Sequence, residues 1–296
     1  MTSVGVIAHG AKELGGGLPE LRKTLASYGI GDPPWREVPK SKYVPEHVGD
    51  LIDEGVDLLF VWGGDGTVQR VIDAVAGRPV TLAILPAGTA NLLATNLGLS
   101  KDLGECVRIG LHGGRRTLDV GKVNGERFAV MTGVGLDAMM IRDADAGLKD
   151  KVGRLAYVWT GAKNAQMDAV KMTIEVDGKA WFRDKASCVL VGNVGDVFGG
   201  LSVFPEASPD DGRLDIGVVT ADGWWQWTRT LGRSVIGDVE GSPFVQTTTG
   251  RSIDVRLNHR LPYELDGGDR KATKKLKIKV KPEAVTIAVP DENADE

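Results

Sequence analysis

The chain has almost no cysteine, few aromatic residues and no long apolar run, and each shortage excludes a class of protein. Its 296 residues include two cysteines, Cys106 and Cys188, both in apolar surroundings and without metal-ligand spacing. They can build neither a disulfide framework nor a zinc module, so two buried thiols in a reducing compartment are expected. Aromatic residues make up 6% of the chain. No apolar stretch approaches the ~18 residues that a membrane span requires. The start, Met1-Thr2-Ser3, reads as leading into a strand and not as a signal peptide. Nor is there an excess of basic charge: the net charge is −4, which argues against a general nucleic-acid binder. Of the four histidines, His47, His112 and His259 are scattered, and His9 alone lies in a glycine-rich loop. The expected location is cytoplasmic, with any membrane contact peripheral and at the inner face.

What is present is ordinary globular composition, 42% hydrophobic and 26% charged, at a length that suggests two domains. The most informative stretch is Val61-Trp62-Gly63-Gly64-Asp65-Gly66-Thr67-Val68. An apolar run, Val56 to Val61, precedes it and reads as a buried parallel strand. Val68, Val71, Ile72 and Val75 follow at helical spacing. Strand, glycine turn and helix in that order suit a phosphate. Glycines clear Cβ atoms from the backbone and permit the positive φ values that aim N–H groups at an anion, and the helix dipole adds to them. Asp65 would repel a bare phosphate, so a metal or a proton acceptor is implied in the same loop. A tight βα turn with an aspartate cap accounts for the glycines equally well.

Val4 to Ala8 reads as a first strand, followed by the glycine-rich loop His9 to Gly17 and a helix from Pro19 to Tyr28. Trp35 to Val38 is a second strand, and Pro45 opens a helix to about Glu54. Val80 to Leu85 is a further strand that breaks at Pro86-Ala87-Gly88 into a helix over Thr89 to Asn96. This order predicts a doubly wound α/β domain with sites at the carboxyl ends of its strands. From Thr117 the texture changes to hairpins. Asn124-Gly125 and Asp177-Gly178 are turn signals, and strands are expected at 171–176, 181–191, 214–219, 252–257 and 276–280. A helix is expected over about 155–166. The domains are therefore 1–117, an α/β nucleotide-binding domain, and 118–290, an antiparallel β-rich domain. The acidic residues 291–296 read as a disordered tail.

Several stretches in order resemble the diacylglycerol kinase catalytic family, which includes bacterial lipid kinases and sphingosine and ceramide kinases. Gly63-Gly64-Asp65-Gly66-Thr67 is similar to its nucleotide loop and Gly88-Thr89-Ala90-Asn91 to its second motif. Leu118-Asp119-Val120-Gly121, Gly133-Val134-Gly135-Leu136-Asp137-Ala138, Pro205 to Asp215 and Leu265-Asp266-Gly267 resemble later motifs. The resemblance implies an α/β nucleotide domain followed by a β-sandwich, with an active site in the cleft between domains, ATP and Mg²⁺ as cofactors, and a lipid alcohol as acceptor. By resemblance, Gly63, Gly64, Asp65, Gly66, Thr67, Gly88, Thr89 and Asn91 hold the nucleotide, with Lys12 as a further phosphate contact. Asp65 would hold catalytic Mg²⁺ with Asp119 in the same acidic network, and Asp266 would be the general base. The loop Ser208 to Arg213, with Asp211 as its side-chain ligand, would bind a structural Mg²⁺; Asp211-Gly212 is also an ordinary β-turn.

The chain departs from the family in four places. Leu92 stands where an aspartate often follows the motif's asparagine, and Thr95 where an arginine often stands. The last motif ends in Gly268 in place of glutamate, with Asp269 next. Ala8-His9 replaces the usual Asn-Pro of the first motif. NAD kinase, which shares the Gly-Gly-Asp-Gly-Thr loop but carries an Asn-Glu pair that Asn91-Leu92 lacks, is an alternative. A non-catalytic lipid- or nucleotide-binding protein of the same fold is another. Two features bear on a membrane. The lysines of Lys274 to Lys281 alternate with Leu276, Ile278 and Val280, and form either a basic face toward anionic lipid or the guard of an edge strand. Trp224-Trp225-Gln226-Trp227 suits an interfacial anchor or core packing. The pattern leaves the acceptor lipid open, and it is compatible with a homodimer.

Overall fold

Three short apolar runs and the more exposed segment Trp35 to Val38, each closed by glycine, proline or a polar turn, make the first sheet. In the computed structural model, which describes residues 2–135, 169–197, 201–221 and 243–291, these are β1 (Val4–His9), β2 (Trp35–Val38), β3 (Leu58–Gly63) and β4 (Thr81–Pro86). All are parallel, with β3 between β1 and β4, and β2 outside β1. The helices are α1 (Gly17–Ser27), α2 (Val44–Asp53), α3 (Asp65–Val75), α4 (Leu92–Asn96) and α5 (Leu103–His112). Because β1 and β3 are buried on both faces, their side chains divide between two helix layers. Val6, Phe60, Trp62 and Leu85 pack with Leu21 and Leu25 of α1 and Val107 of α5. Ile7, Leu59 and Val61 point to the other face, and the apolar residues of α2 and α3 are likewise buried.

The first unit comprises residues 1–120 and also 282–296. That second segment differs from the sequence reading, which placed everything from 118 to 290 in the β-rich domain. Thr286 and Ile287 pair in parallel with Thr81 and Leu82 of β4. An apolar strand sequence carries no label for the sheet it joins, and only the pairing reveals it.

The second unit, residues 121–281, is antiparallel. Its strands are β5 (Gly114–Val123, shared by chain continuity with the first unit), β6 (Glu126–Phe128), β7 (Met131–Val134), β8 (Val170–Val176) and β9 (Lys179–Ala186). There follow β10 (Cys188–Gly192), β11 (Asp196–Val197), β12 (Leu201–Ser202), β13 (Leu214–Val219), β14 (Val245–Gly250), β15 (Ser252–Leu265) and β16 (Gly268–Val289). The early part of β15 pairs with β8, whereas Glu264 and Leu265 pair with β7, after register shifts between Arg256 and Tyr263. A strand that changes neighbours through a bulge is how two sheets of a sandwich share a corner. The core between them includes Phe128, Ile174, Phe182, Val191, Ile216, Val255 and Ile278.

β16 pairs with β15 and with β5, so it is not an edge strand. The edge-guard reading of its lysines therefore falls. The expected helix at 155–166, the residues Leu136-Asp137-Ala138 and the stretch Trp224-Trp225-Gln226-Trp227 lie outside the described residues, as do residues 292–296 of the tail. Among the described residues no helix is long and apolar enough to cross a membrane.

Candidate active site

In the parallel sheet the chain moves outward from β1 to β2 on one side and from β1 to β3 and β4 on the other. The order reverses between β1 and β3. At such a switch point the loops after adjacent strands part and leave a crevice for a ligand. The loop after β3 is Gly63 to Thr67, and the loop after β1 carries His9 to Lys12. The Trp62 Nε1–H donates to the Lys12 carbonyl at 3.0 Å, so the first loop is pinned to the end of β3. His9 accepts the Ala11 N–H at 3.3 Å and braces its own loop.

The glycines of the two motif loops serve close approach. Positive φ values were expected at Gly63, Gly64 and Gly66, but none of them has one. Instead a Cβ on Gly88 would lie 2.3 Å from the Gly64 Cα, and one on Gly63 would lie 2.5 Å from the Thr67 Cβ. The two loops touch backbone to backbone, and a side chain on either would separate them. Asn91 fixes the second loop. It is in the left-handed region at φ 49, its Oδ1 accepts the Gly88 N–H at 2.9 Å, and its Nδ2 donates to the carbonyls of Pro86 and Gly88. The regular helix accordingly begins at Leu92 and not at Thr89.

Asp65 links the two loops. Its Oδ1 accepts the Leu92 N–H at 2.6 Å. Burial raises the carboxyl above its usual range, and the N–H groups of Leu92, Asp65, Asn91 and Leu93 oppose that shift. The position after Asn91, where the family often has an acid, is filled by the buried aliphatic side chain of Leu92, and its backbone holds Asp65. Thr67 is buried with its hydroxyl 3.0 Å from Ser41 Oγ, while Thr89 is exposed on the loop. Ser41 was not singled out from sequence, although a polar residue just past the carboxyl end of β2 is where a site residue would be sought.

Asp119, Asp266 and the 208–213 loop each have hydrogen-bond partners of their own. Asp119 is buried, and its Oδ1 accepts the Glu283 N–H at 2.8 Å, which ties β5 to the returning end of β16 within the first unit. Asp266 lies in the second unit, in the two-residue turn Asp266-Gly267 joining β15 to β16, where both residues have positive φ. It is buried, and its carboxylate accepts the N–H groups of Ala129, Val130 and Met131 at 2.8, 2.9 and 2.9 Å. In the 208–213 loop, Ser208 Oγ donates to Asp210 at 2.6 Å and the Arg213 N–H to Asp211 at 2.8 Å, while the Arg213 side chain bonds Thr249. Among the described residues no three acidic, histidine or cysteine side chains form a metal cluster.

Glu264 was missed from sequence. It is 3% exposed, its Oε1 accepts the Gly267 N–H, and its Oε2 is buried without a partner among the described residues. Burial above all, opposed by the Gly267 N–H and reinforced by Asp266, pushes its pKa up to about 8. Arg270 completes the support of this turn. It donates to Glu126 at 2.8 Å and to the Gly268 carbonyl at 3.1 Å, and its guanidinium fills the space beside Gly268, 2.8 Å from where a Cβ would stand. Asp269, next after the glycine that stands in place of the family's glutamate, is exposed.

The raised Glu264 pKa sets a direction for stability. Between its ordinary value of 4.5 and about 8 the folded chain keeps a proton that the unfolded chain releases. Stability from this group is complete below the lower value and is lost as pH rises through the upper one. Glu264→Gln should remove that loss, leaving the variant more stable than the parent at pH 8, relative to pH 5, by about 3–5 kcal/mol. Urea denaturation of both proteins at the two pH values measures it; parallel shifts in parent and variant would refute the burial account.

Two glycine loops in contact at the switch point of a parallel sheet, followed by a β-sandwich unit, define the class of fold: a nucleotide-binding α/β domain with a C-terminal β-sandwich. Residues 17–123 match the diacylglycerol kinase catalytic domain, and residues 130–289 match the YegS C-terminal NAD kinase beta sandwich-like domain. A YegS-like lipid kinase of Serratia proteamaculans is 30% identical over 86% of this chain and 83% of its own. A diacylglycerol kinase of Bacillus subtilis is 28% identical over 71% of each. A solved diacylglycerol kinase from Bacillus anthracis superposes with a TM-score of 0.78 at 23% identity, covering 97% of this chain and 96% of that one. An NAD kinase from Archaeoglobus fulgidus, solved with ATP, shares the fold more distantly, with a TM-score of 0.54 at 12% identity over 96% and 93% of the two chains. The chain belongs to the lipid kinase family defined by the diacylglycerol kinase catalytic domain and the YegS-type C-terminal domain, and it is a kinase.

Proposed function

We propose that the protein transfers the γ-phosphoryl group of ATP to the hydroxyl of diacylglycerol or a related lipid alcohol, with Mg²⁺. The observation that carries this reading is the apposition of Gly64 and Gly88, latched by Asp65 onto Leu92, at the switch point of the sheet. The amides of the glycine loop and the start of α3 offer donors to phosphate oxygens, and the backbone clearance lets a triphosphate approach. Lys12 adds a cation from the neighbouring loop. Phosphoryl transfer asks mainly for positioning and charge neutralisation, which this arrangement suits. NAD kinase ranks second, because the buried Leu92 side chain takes the place of the acid that reading requires.

The donor set fits a hard cation that keeps much of its own water, since it consists of carboxylates and carbonyls without clustered nitrogen or sulfur ligands. Asp65 would hold the catalytic ion, and Asp211 with its neighbours in the 208–213 loop a structural one. When bound, the catalytic ion would neutralise charge developing on the phosphoryl oxygens. The lipid hydroxyl would attack the γ-phosphorus while Asp266 accepts its proton, and ADP would leave.

A panel of lipid alcohols offered with ATP, with and without Mg²⁺, tests the class and the acceptor together. Asp65→Asn keeps an oxygen for the Leu92 N–H but removes the charge. It should lower kcat/KM by at least about a hundredfold with little change in melting temperature. Turnover within threefold of the parent would remove Asp65 from the chemistry and leave it a loop latch.

A further inference from the structure

The outer face of the β9-β8-β15-β16 sheet is basic, on a chain whose net charge is −4. Pairing register places Arg183, Thr173, Arg256 and Lys275 in one row across the four strands, and Glu175, Asp254 and Lys277 in the next. The alternate residues Ile174, Val255 and Ile278 face the core, so these side chains point outward. Lys171 and Lys185 extend the face at one end and Lys279 at the other. The two acids are already used: Arg256 lies 3.3 Å from Glu175 and Lys275 lies 3.2 Å from Asp254. Lys171, Arg183, Lys185, Lys277 and Lys279 are exposed and make no ion pair among the described residues.

Strands about 4.8 Å apart, with outward residues about 7 Å apart along each, spread these cations in two dimensions on a sheet surface. Such a layer matches a plane of negative headgroups better than the single line of phosphates along a nucleic-acid backbone. We infer that this sheet face docks the enzyme on anionic phospholipid bilayers. The inference rests on the lipid acceptor proposed above, since an enzyme whose acceptor is dissolved in a bilayer must work at its surface. It enlarges the basic feature of the 274–281 segment: Lys274 falls on the opposite parity from Lys275, Lys277 and Lys279, and strands β8 and β9 supply three of the five exposed cations that make no ion pair among the described residues, against two from β16.

Co-sedimentation of the full chain with vesicles, in the absence of ATP, tests it. Vesicles of phosphatidylglycerol mixed equally with phosphatidylcholine should bind the protein, and pure phosphatidylcholine should bind it far less. Each cation near an anionic surface changes partitioning by about fivefold, so Lys277→Glu combined with Lys279→Glu should weaken binding at least ~25-fold, and high salt should release the parent. Equal binding to both vesicle types, or an undiminished double variant, would overturn the inference. So would retention by a polyanion such as duplex RNA with no vesicle binding. Turnover measured in parallel in non-ionic detergent micelles separates the two proposals. If vesicle binding fails while micellar turnover persists, only the docking face is wrong; salt-sensitive vesicle binding without lipid turnover upholds the face and rejects the acceptor.

Discussion

Gly88→Ala should lower turnover about a hundredfold and lower the melting temperature, although it adds a single methyl group. The added carbon would stand 2.3 Å from the Gly64 Cα and 2.7 Å from Asn91 Oδ1. Neither neighbour can yield cheaply. Gly64 is backbone at the start of α3, and Asn91 is held by its three bonds to the Pro86-Gly88 turn. The loops must therefore move apart, at about 1–3 kcal/mol for overpacking of this kind. A shift of about 1 Å in groups that position a phosphoryl donor can cost a further ~100-fold in rate. Gly66→Ala is the control, because nothing lies within 4 Å of a Cβ there and its φ is not positive. In that helical position alanine should hold or raise stability by about 0.5–1 kcal/mol. Thermal melts of both variants, with nucleotide affinity by calorimetry, check the pair. A Gly88→Ala protein that melts and binds ATP like the parent would show that the loops are not in contact in solution.

The contrast between these glycines marks how far sequence reasoning reached. The strand-turn-helix order was legible because Val56 to Val61 and Val80 to Leu85 are unbroken apolar runs bounded by glycine and proline. That a site forms after them follows from where loops of parallel strands gather. Why the glycines are glycine was not legible, because the reason for Gly64 is Gly88, on another loop. Helix α5 was missed for a related cause. Gly110 sits in the last turn of the helix, where propensity still disfavours it, and a Cβ there would stand 2.5 Å from Phe60, so the glycine lets the helix approach β3. A signal was present in Asp102 and Glu105, since the Asp102 side chain accepts the Glu105 N–H and caps the helix.

In the second unit the turns at Asn124-Gly125 and Asp177-Gly178 and the strands at 171–176 and 214–219 were readable, whereas the full extent of the last two strands was not. Asn124-Gly125, Asp177-Gly178 and Asp266-Gly267 all have positive φ at both residues, as their sequences require. β15 and β16, of 14 and 22 residues, far exceed the apolar segments seen in them, because pairing continues through polar residues beyond the core. Glu264 was invisible for a different reason. Glutamate is normally exposed, and only its position between the buried residues Tyr263 and Leu265 at the sheet-switching end of β15 takes it inside. The partners of Asp119 and Asp266 are residues 164 and up to 137 positions away in sequence, and no spacing rule reports them.

Those distant partners make Asp266→Ala the most informative substitution in the second unit. The carboxylate satisfies three backbone N–H groups at the start of β7 in a buried site. Alanine leaves all three without an acceptor, at about 1–3 kcal/mol each when buried. Water entering the vacated space recovers part of this, so a loss of about 3–5 kcal/mol is expected, out of the 5–15 kcal/mol or so that a domain typically has. At roughly 2–4 °C per kcal/mol, the melting temperature should fall by about 10 °C. A second effect is independent of the first. If Asp266 accepts the proton of the attacking hydroxyl, its loss should lower kcat by about 10²–10⁴ in molecules that remain folded. The two effects are separable by assaying well below the midpoint of the variant's own melt. Folded Asp266→Ala protein retaining turnover within tenfold of the parent would confine Asp266 to pinning β7 and return the search for the base to the rest of the unit. An unchanged melt with lost turnover would mean that water replaces the carboxylate at those amides without penalty, and that the residue is there for the chemistry alone.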